Sequence, residues 1–305
     1  MKTGIVVDAA CDLPYWYIHR HGLHVLPVAL RLGDEVFLET RDPERTMGFY
    51  LRYAAARHLD AETFPHSVEE IAALFINDLL PHYDRVLVIT VSRTRSLLFA
   101  NASEAARLVL RRHRSGSAQR RPGFHLQVLD SASVFSGQAL LVHETVRLLD
   151  SGTAFGALSG LVSRLSERVH CLVVPADLSY LYQRGRQRGE QSIGWLGYRL
   201  GQVLDIKPLL LFRRGNSESI GTERHFDRAL GSLFGRVMAA MEVGLLIQAV
   251  TLSFAGHPQQ LQQHPAYREF QRQAEARGIE VLVSMMGSPA GLYLGPGAVS
   301  LAYAA

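Results

Sequence analysis

The chain has 305 residues, of which 48% are hydrophobic and 20% charged, and its formal net charge is +4. This composition provides apolar material for two domains of ordinary size and excludes an intrinsically disordered chain. No apolar run approaches the roughly 20 residues that cross a bilayer, so stable membrane insertion is not expected.

The beginning of the chain favours a cytoplasmic protein. Residues 4–7 form an apolar, strand-like run that lacks the cationic and hydrophobic regions of a signal peptide. The two cysteines, Cys11 and Cys171, stand outside any CxxC or Cys/His cluster. We therefore expect neither a disulfide framework nor a zinc site.

Strand-like and helical patterns alternate through the first half. Strands are predicted at 4–7, 86–91 and 126–129, and helices at 68–80, 97–112 and 136–150. This βαβ order predicts an α/β fold with a Rossmann-like parallel sheet and flanking helices. Ser67 and Glu70 have the spacing of a capping box, which predicts a helix start at that position.

An anion site is one interpretation of the segment after the second strand. The run 86–91 leads into Ser92, Thr94 and Ser96, and then into a helical pattern. Free N–H groups, the helix dipole and small hydroxyls converge at such a point and can hold a carboxylate or a phosphate. A plain capping role for these hydroxyls is the alternative.

A basic cluster follows the helix at 97–112. It comprises Arg111, Arg112 and Arg114, and then Arg120 and Arg121. We interpret it as an exposed loop. Nucleic-acid binding is not expected, because no aromatic residues are interleaved with these arginines and the cluster belongs to no known binding module. A protein interaction module that uses this loop stays an alternative.

The predicted elements of the second half follow a different pattern from those of the first. Helices are predicted at 155–166, 225–241 and 264–277, and strands at 170–174, 208–212, 249–254 and 280–285, with a stretch rich in Arg, Gln and Gly at 183–191. We expect two domains, 1–165 and 166–305, the second being an α/β domain with a mixed sheet.

Catalytic signatures are missing from the sequence. It has no HExxH, no GxGxxG after a strand and no P-loop, and no nucleophile stands in an evident set with a base. Asp8 ends the first strand and could act as a base, but Asp12-Leu13-Pro14 is typical of a turn and cap. We predict a protein that is not an enzyme and that needs no cofactor or metal.

Seven short motifs, in order, resemble the DegV family of bacterial fatty-acid-binding proteins. They are Asp8 with Asp12-Leu13-Pro14, the segment 92–102, Asp130-Ser131, the segment 178–186, Ile206-Lys207-Pro208, Arg224, and Gly295-Pro296-Gly297-Ala298. The resemblance implies two α/β domains that hold one long-chain fatty acid in an apolar tunnel between them. It implies a carrier, which in some members presents the bound acid to a separate fatty acid kinase subunit.

The resemblance also implies the ligand-binding residues. The hydroxyls that bind the carboxylate in the family match Thr63 and Ser96, although Phe64 and Leu97 stand where the family has other residues. The cations near the head group match Arg186 and Arg224.

Phe254 and Tyr293 stand where many members of the family have His. These two departures bear on whether the protein uses a kinase partner.

A phosphotransferase related to the dihydroxyacetone kinases stays the alternative function, although the substrate-holding His and the nucleotide partner that it needs are not evident.

Overall fold

The computed structural model describes residues 1–55, 61–115, 123–187 and 205–305. Thirteen strands lie in these ranges: β1 Thr3–Asp8, β2 His24–Leu26, β3 Val28–Leu32, β4 Glu35–Glu39, β5 Ala61–Phe64, β6 Arg85–Thr90, β7 His125–Asp130, β8 Val169–Val174, β9 Ile206–Arg213, β10 Asn216–Arg224, β11 Ala249–Phe254, β12 Glu280–Met285 and β13 Val299–Ala304. The same ranges contain eleven α-helices: α1 Tyr15–Arg20, α2 Pro43–Ala55, α3 Val68–Leu74, α4 Leu98–Ser115, α5 Phe135–Asp150, α6 Phe155–Ser166, α7 Leu178–Gln187, α8 Phe226–Val243, α9 Pro258–Gln262, α10 Pro265–Ala276 and α11 Ser288–Leu294.

The predicted α/β fold is confirmed. A parallel sheet in the order β2-β1-β6-β7 uses the strands of the first half. A separate mixed sheet in the order β10-β9-β8-β13-β11-β12 uses those of the second half. The domain boundary between residues 165 and 166 falls between these two sets of strands and stays a prediction.

Helix α5 lies between the two large sheets. It contacts β6 of the parallel sheet, and β8, β11 and β13 of the mixed sheet. Its residues 136–146 are all buried. Because both faces of the helix meet a sheet, the usual polar stripe of a surface helix is missing. The helix therefore belongs to the core of the whole molecule.

A three-stranded antiparallel sheet in the order β4-β3-β5 completes the first half and was not predicted. Its strands have only four or five residues each. Their register places Thr63, Leu30 and Phe37 in one row, and Phe64, Ala29 and Leu38 in the next. Leu30 is fully buried whereas Phe64 is exposed, so Thr63 lies on the inner face of this sheet.

Two helices differ from their predicted extents. The capping box of Ser67 and Glu70 is confirmed at the start of α3, but the segment continues from Phe75 as a π-helical turn, Phe75–Leu79. Helix α4 runs to Ser115, so Arg111, Arg112 and Arg114 are helical rather than part of the predicted loop. The rest of the predicted basic loop, 116–122, lies outside the described residues.

A buried histidine in α5 makes stability depend on pH. His143 is 7% exposed, and its Nδ1 lies 3.1 Å from the hydroxyl of Tyr17. Burial lowers the pKa of His143 from its usual value of 6.5. The carboxylate of Glu280, 3.9 Å away, raises this pKa by a smaller amount, so the net shift is downward. Below about pH 6.5 the unfolded chain binds a proton that the folded chain does not, so the free energy of unfolding falls as the solution is acidified.

We expect the His143→Gln variant to show a smaller loss of stability than the wild type between pH 7.5 and pH 5.5. Urea unfolding at the two pH values measures this difference. The matched control is His82→Gln, because His82 is exposed. A pH dependence as large in His143→Gln as in the wild type would contradict the assignment.

Candidate functional site

Asp8 ends β1 and serves the turn that the sequence predicted there. Its carboxylate accepts hydrogen bonds from the N–H of Ala10 at 2.9 Å, from the N–H of Val91 at 2.6 Å and from the amide of Gln138 at 3.0 Å. Complete burial raises the pKa of Asp8, and the hydrogen bonds oppose that shift. The carboxylate therefore joins β1, β6 and α5.

Asp12 and Arg41, both of the first half, form a buried ion pair at the contact with the second half. Arg41 Nη1 lies 3.2 Å from Asp12 Oδ1, and its Nη2 donates to the carbonyl of Met285 at 2.8 Å. Asp12 also accepts hydrogen bonds from the N–H of Gly287 at 2.8 Å and from the hydroxyl of Ser253 at 2.6 Å. A Cβ on Gly287 would lie 2.5 Å from the Arg41 guanidinium and 2.9 Å from the carbonyl oxygen of Ala9, and because this backbone oxygen cannot move aside, the approach favours glycine.

Glu39 fixes the start of α11. Its carboxylate accepts from the N–H of Arg41 at 2.7 Å, from the hydroxyl of Thr46 at 3.0 Å, and from both the N–H and the hydroxyl of Ser288. Every one of these donors belongs to buried backbone or to a buried side chain. Helix α11 of the second half is thus held against β4 and α2 of the first.

Ser96 makes, at the start of α4, the capping contact that the sequence analysis kept as the alternative to ligand binding. Its hydroxyl oxygen accepts a hydrogen bond from the N–H of Leu98 at 3.2 Å. Accepting this bond uses a lone pair and leaves the hydroxyl proton available to a further acceptor. The capping and ligand-binding interpretations are therefore compatible at this residue.

Thr63 lies close to α11. Its Oγ1 is 3.5 Å from the hydroxyl of Tyr293, and both side chains are partly buried. Three residues later, the carbonyl of His66 accepts a hydrogen bond of 2.8 Å from the amide of Asn101 in α4. This bond joins the loop after Thr63 to the helix that begins beside Ser96, so the structure brings the two predicted hydroxyls to neighbouring segments.

The turn from Ser92 to Ser96 also contacts the second half. Thr94 Oγ1 donates to the carbonyl of Gly215 at 2.5 Å, in the turn between β9 and β10. Arg95 donates to the hydroxyl of Ser217 at 2.7 Å. The guanidinium of Arg95, which the sequence analysis did not single out, is therefore a cation at this contact with the second half.

Arg224 lies away from this contact. It pairs with Ile206 at the open end of the β9–β10 hairpin, whereas Gly215 lies in its turn. The nine residues of β10 span about 27 Å at 3.4 Å a residue. Arg186 lies in α7, and its side chain is outside the described residues. The structure thus does not bring Arg224 together with the Ser92–Ser96 turn.

Lys207, from the Ile-Lys-Pro motif, is near the open end of this hairpin. Its ammonium donates to the carbonyl of Ala176 at 2.7 Å and pairs with Asp205 at 2.8 Å. Hydrogen bonds from Lys207 and His225 lower the pKa of Asp205. The contact with Ala176 fixes the segment that leads into α7, which supports a structural role for Lys207.

A cavity of about 400 Å³ lies on the surface between β9, β10 and α8. Its lining residues are Leu209, Gly221, Thr222, Glu223, Ser232, Gly235, Arg236 and Ala239. None of the four residues predicted to bind the ligand belongs to this set, so the cavity is not the predicted tunnel. The tunnel between the domains stays a prediction.

The described side chains include no group of three or more His, Cys, Asp or Glu that could hold a metal ion. Among the helices described, none combines the length and apolar composition of a membrane span.

A family model described as "Uncharacterised protein, DegV family" matches residues 2–305. The chain belongs to the DegV family. A DegV domain-containing protein of Xanthomonas axonopodis pv. citri is 35% identical over 308 residues, which cover 100% of this chain and 98% of that relative.

Two solved structures share the fold. One is a stearic acid-binding protein of Eubacterium ventriosum, with a TM-score of 0.79, 20% identity, and coverage of 99% of this chain and 98% of that one. Another is the Streptococcus pneumoniae Fatty Acid Kinase B3 protein loaded with linoleic acid. Its TM-score is 0.77 at 16% identity, with coverage of 100% of this chain and 99% of that one.

Phe254 and Tyr293, the two positions at which the family resemblance implied histidine, have different surroundings in this DegV protein. Phe254 ends β11 and is 7% exposed within the core of the second half. Tyr293 instead contacts the predicted ligand residue Thr63. The sequence signal that could have identified Tyr293 was its place before the Gly-Pro-Gly turn, but only the packing of α11 against the first half brings its hydroxyl to Thr63.

Proposed function

We propose that this protein is a carrier that binds one long-chain fatty acid without catalysing a reaction on it. In this proposal the hydroxyls of Thr63 and Ser96 bind the carboxylate, and the acyl chain lies in an apolar tunnel between the domains. Membership of the DegV family supports the proposal, together with the fatty acids named for proteins of the same fold.

The observation that carries the proposal is the hydrogen bond between His66 and Asn101. It joins the loop that follows Thr63 to the helix that begins beside Ser96, so that two hydroxyls from distant parts of the sequence lie on adjoining segments. A desolvated carboxylate needs such donors, because its burial without partners costs several kcal/mol.

The acyl chain provides the affinity. Burial of about 15 methylenes at roughly 0.8 kcal/mol each contributes about 12 kcal/mol before the entropic costs of binding. Rings pack on the inner side of the three-stranded sheet, where the centroids of Phe37 and Phe49 are 6.0 Å apart and those of Phe49 and Tyr53 are 5.2 Å apart. This apolar face adjoins Thr63 through the row that Thr63 shares with Leu30 and Phe37.

In this proposal Arg186 supplies positive charge near the head group, with Arg95 of the Ser92–Ser96 turn as a second cation. Arg224, at the opposite end of the β9–β10 hairpin, does not. Cations at the rim would favour an anionic head group and a phosphate-transferring partner. Presentation of the carboxylate to a fatty acid kinase subunit and a cytoplasmic location are parts of the same proposal. The Fatty Acid Kinase B3 protein of the same fold supports the kinase partner.

Native mass spectrometry of the freshly purified protein tests the proposal. We expect a retained ligand with the mass of a long-chain fatty acid, which is released when the protein is denatured. The protein stripped of lipid should bind palmitate again in a titration. Absence of any acyl ligand together with no palmitate binding, or ATP turnover with a polyol substrate, would instead favour the phosphotransferase alternative.

A further inference from the structure

We propose that the mixed sheet carries a binding site for a phosphate group, where four arginines lie around His170 and Tyr303. The site is separate from the proposed fatty-acid site, and the inference does not depend on that proposal. Within the described ranges, none of the four guanidinium groups pairs with a carboxylate. We call them the arginine cluster, which consists of Arg168, Arg213, Arg214 and Arg236.

Three neighbouring strands place His170 between Arg213 and Tyr303. In the register of β8, Cys171 pairs with Phe212 of β9, and His170 pairs with Tyr303 of β13. Cys171 and Phe212 face the core around α5, so the alternation of side chains turns the row of His170, Arg213 and Tyr303 to the opposite face, which packs against α8. The rings of His170 and Tyr303 stack with their centroids 5.0 Å apart.

Arg168 and Arg214 lie at the start of β8 and the end of β9. Arg168 directly precedes β8, and Arg214 directly follows β9. Arg214 Nε donates a hydrogen bond of 3.2 Å to the carbonyl of Glu167. Both arginines are exposed. Two solvent-accessible cations therefore lie close to His170, in addition to Arg213 on the neighbouring strand.

Arg236 reaches the same row from α8. Its Nη2 donates a hydrogen bond of 3.2 Å to the carbonyl of Ile220 in β10. Burial raises the pKa of Tyr303, and the charges of Arg236 and Arg213 oppose this shift. Both cations thus act on the phenol that stacks on His170.

The imidazole of His170 is in a strongly positive environment. Burial lowers its pKa from the usual value of 6.5, the charges of Arg213, Arg168 and Arg214 lower it further, and a hydrogen bond with the backbone of Arg168 opposes part of this shift. His170 Nδ1 and Arg213 Nε are buried atoms without a hydrogen-bond partner in the described structure. Like charges that converge in this way repel one another, and an anion would offset the repulsion.

The number of cations favours a phosphate group over a carboxylate. Four guanidinium groups exceed the single charge of a carboxylate. A phosphate monoester carries about 1.5 to 2 negative charges at pH 7 and three strong acceptor oxygens. The planar fork of a guanidinium group matches two phosphate oxygens at once. The arginine cluster therefore suits a phosphate group, either as the free ion or at the end of a monoester.

Titration of the lipid-free full-length protein with inorganic phosphate and with methyl phosphate tests the proposal. The readout is the imidazole NMR signal of His170, assigned with the His170→Gln variant and followed at constant ionic strength. We expect a saturable change of this signal and a higher pKa of His170 in the bound state, because the anion offsets the charges of the arginines. The probe that binds more tightly shows whether the site takes the free ion or the monoester.

Substitutions of single arginines provide the second arm of the test. We expect Arg213→Gln and Arg168→Gln each to weaken phosphate binding about tenfold or more, because each removes a charge-assisted hydrogen bond. The matched control is Arg272→Gln. Arg272 is also an exposed arginine of the second half, but it pairs with Glu269 at 2.7 Å, so its loss should leave phosphate binding unchanged.

Four results would overturn the inference. The His170 signal could fail to change with either probe, or acetate at the same ionic strength could change it equally, which would indicate charge screening alone. Arg272→Gln could weaken binding as much as Arg213→Gln, which would indicate a diffuse positive surface. Palmitate could displace the phosphate, which would place the anion at the fatty-acid site.

Discussion

The Thr63→Val/Ser96→Ala variant is expected to bind palmitate at least about 100-fold more weakly than the wild type. Each hydroxyl would donate to a charged acceptor, and a hydrogen bond of this kind contributes about 1.5–3 kcal/mol. Loss of two such bonds removes about 3 kcal/mol or more, and about 1.4 kcal/mol corresponds to each tenfold change in affinity, so the loss is at least about 100-fold. Isothermal titration of the lipid-free protein with palmitate measures the difference.

The control must account for the structural role of Ser96, whose hydroxyl accepts from the N–H of Leu98. Ser67→Ala removes a comparable cap, because Ser67 Oγ accepts from the N–H of Glu70 at 3.2 Å. We expect both Ser67→Ala and Ser96→Ala to lower the free energy of unfolding by about 1 kcal/mol. Only Ser96→Ala should weaken palmitate binding, and equal palmitate affinities in these two variants would contradict the head-group assignment.

The Asp12→Ala variant should lose about 3–5 kcal/mol of unfolding free energy. Both members of the Asp12–Arg41 ion pair are at most 5% exposed in their side chains. Removal of the carboxylate leaves a buried guanidinium without its counter-ion, and breaking a buried pair in this way has a cost of that size. It also leaves the N–H of Gly287 and the hydroxyl of Ser253 without their acceptor. Urea unfolding followed by circular dichroism measures the change.

The exposed ion pair of Arg31 and Glu62 is the matched control. Its side chains are 50% and 58% exposed, so Glu62→Ala should change the free energy of unfolding by less than about 1 kcal/mol. We also expect Asp12→Ala combined with Arg41→Met to be more stable than Asp12→Ala alone, because the uncompensated charge is then absent. Equal stability losses in Asp12→Ala and Glu62→Ala would show that the buried pair does not hold the two halves together.

Local sequence signals predicted much of the scaffold. The alternation of apolar strands and helical patterns identified β1, β6 and β7, and the capping box of Ser67 and Glu70 placed the start of α3 correctly. These features depend on neighbours in the sequence, since strand periodicity and helix capping are both local. The two hydroxyls, Thr63 and Ser96, came from their match to family motifs.

Other elements could not be predicted because their stability comes from distant partners. Strands β3, β4 and β5 are too short for a clear pattern, and β5 pairs with β3 across thirty intervening residues or so. The buried pair of Asp12 and Arg41 is likewise invisible to local patterns, because residue type alone does not reveal which charges are removed from water. Arg224 lies far from Thr94 because the two are at opposite ends of the β9–β10 hairpin. The order of the motifs in the sequence does not show this distance.

The sequence by itself determined the α/β class, the family and the two hydroxyls that we propose to bind the carboxylate, because strand, helix and cap signals act over a few residues. Only the tertiary structure decided that Tyr293 contacts Thr63, that the Ser92–Ser96 turn contacts the β9–β10 hairpin, and that Arg224 lies at the far end of that hairpin. The physical reason is that such contacts form when α11 and the β9–β10 hairpin pack against the first half, and that packing depends on burial and on hydrogen bonds between residues far apart in the chain.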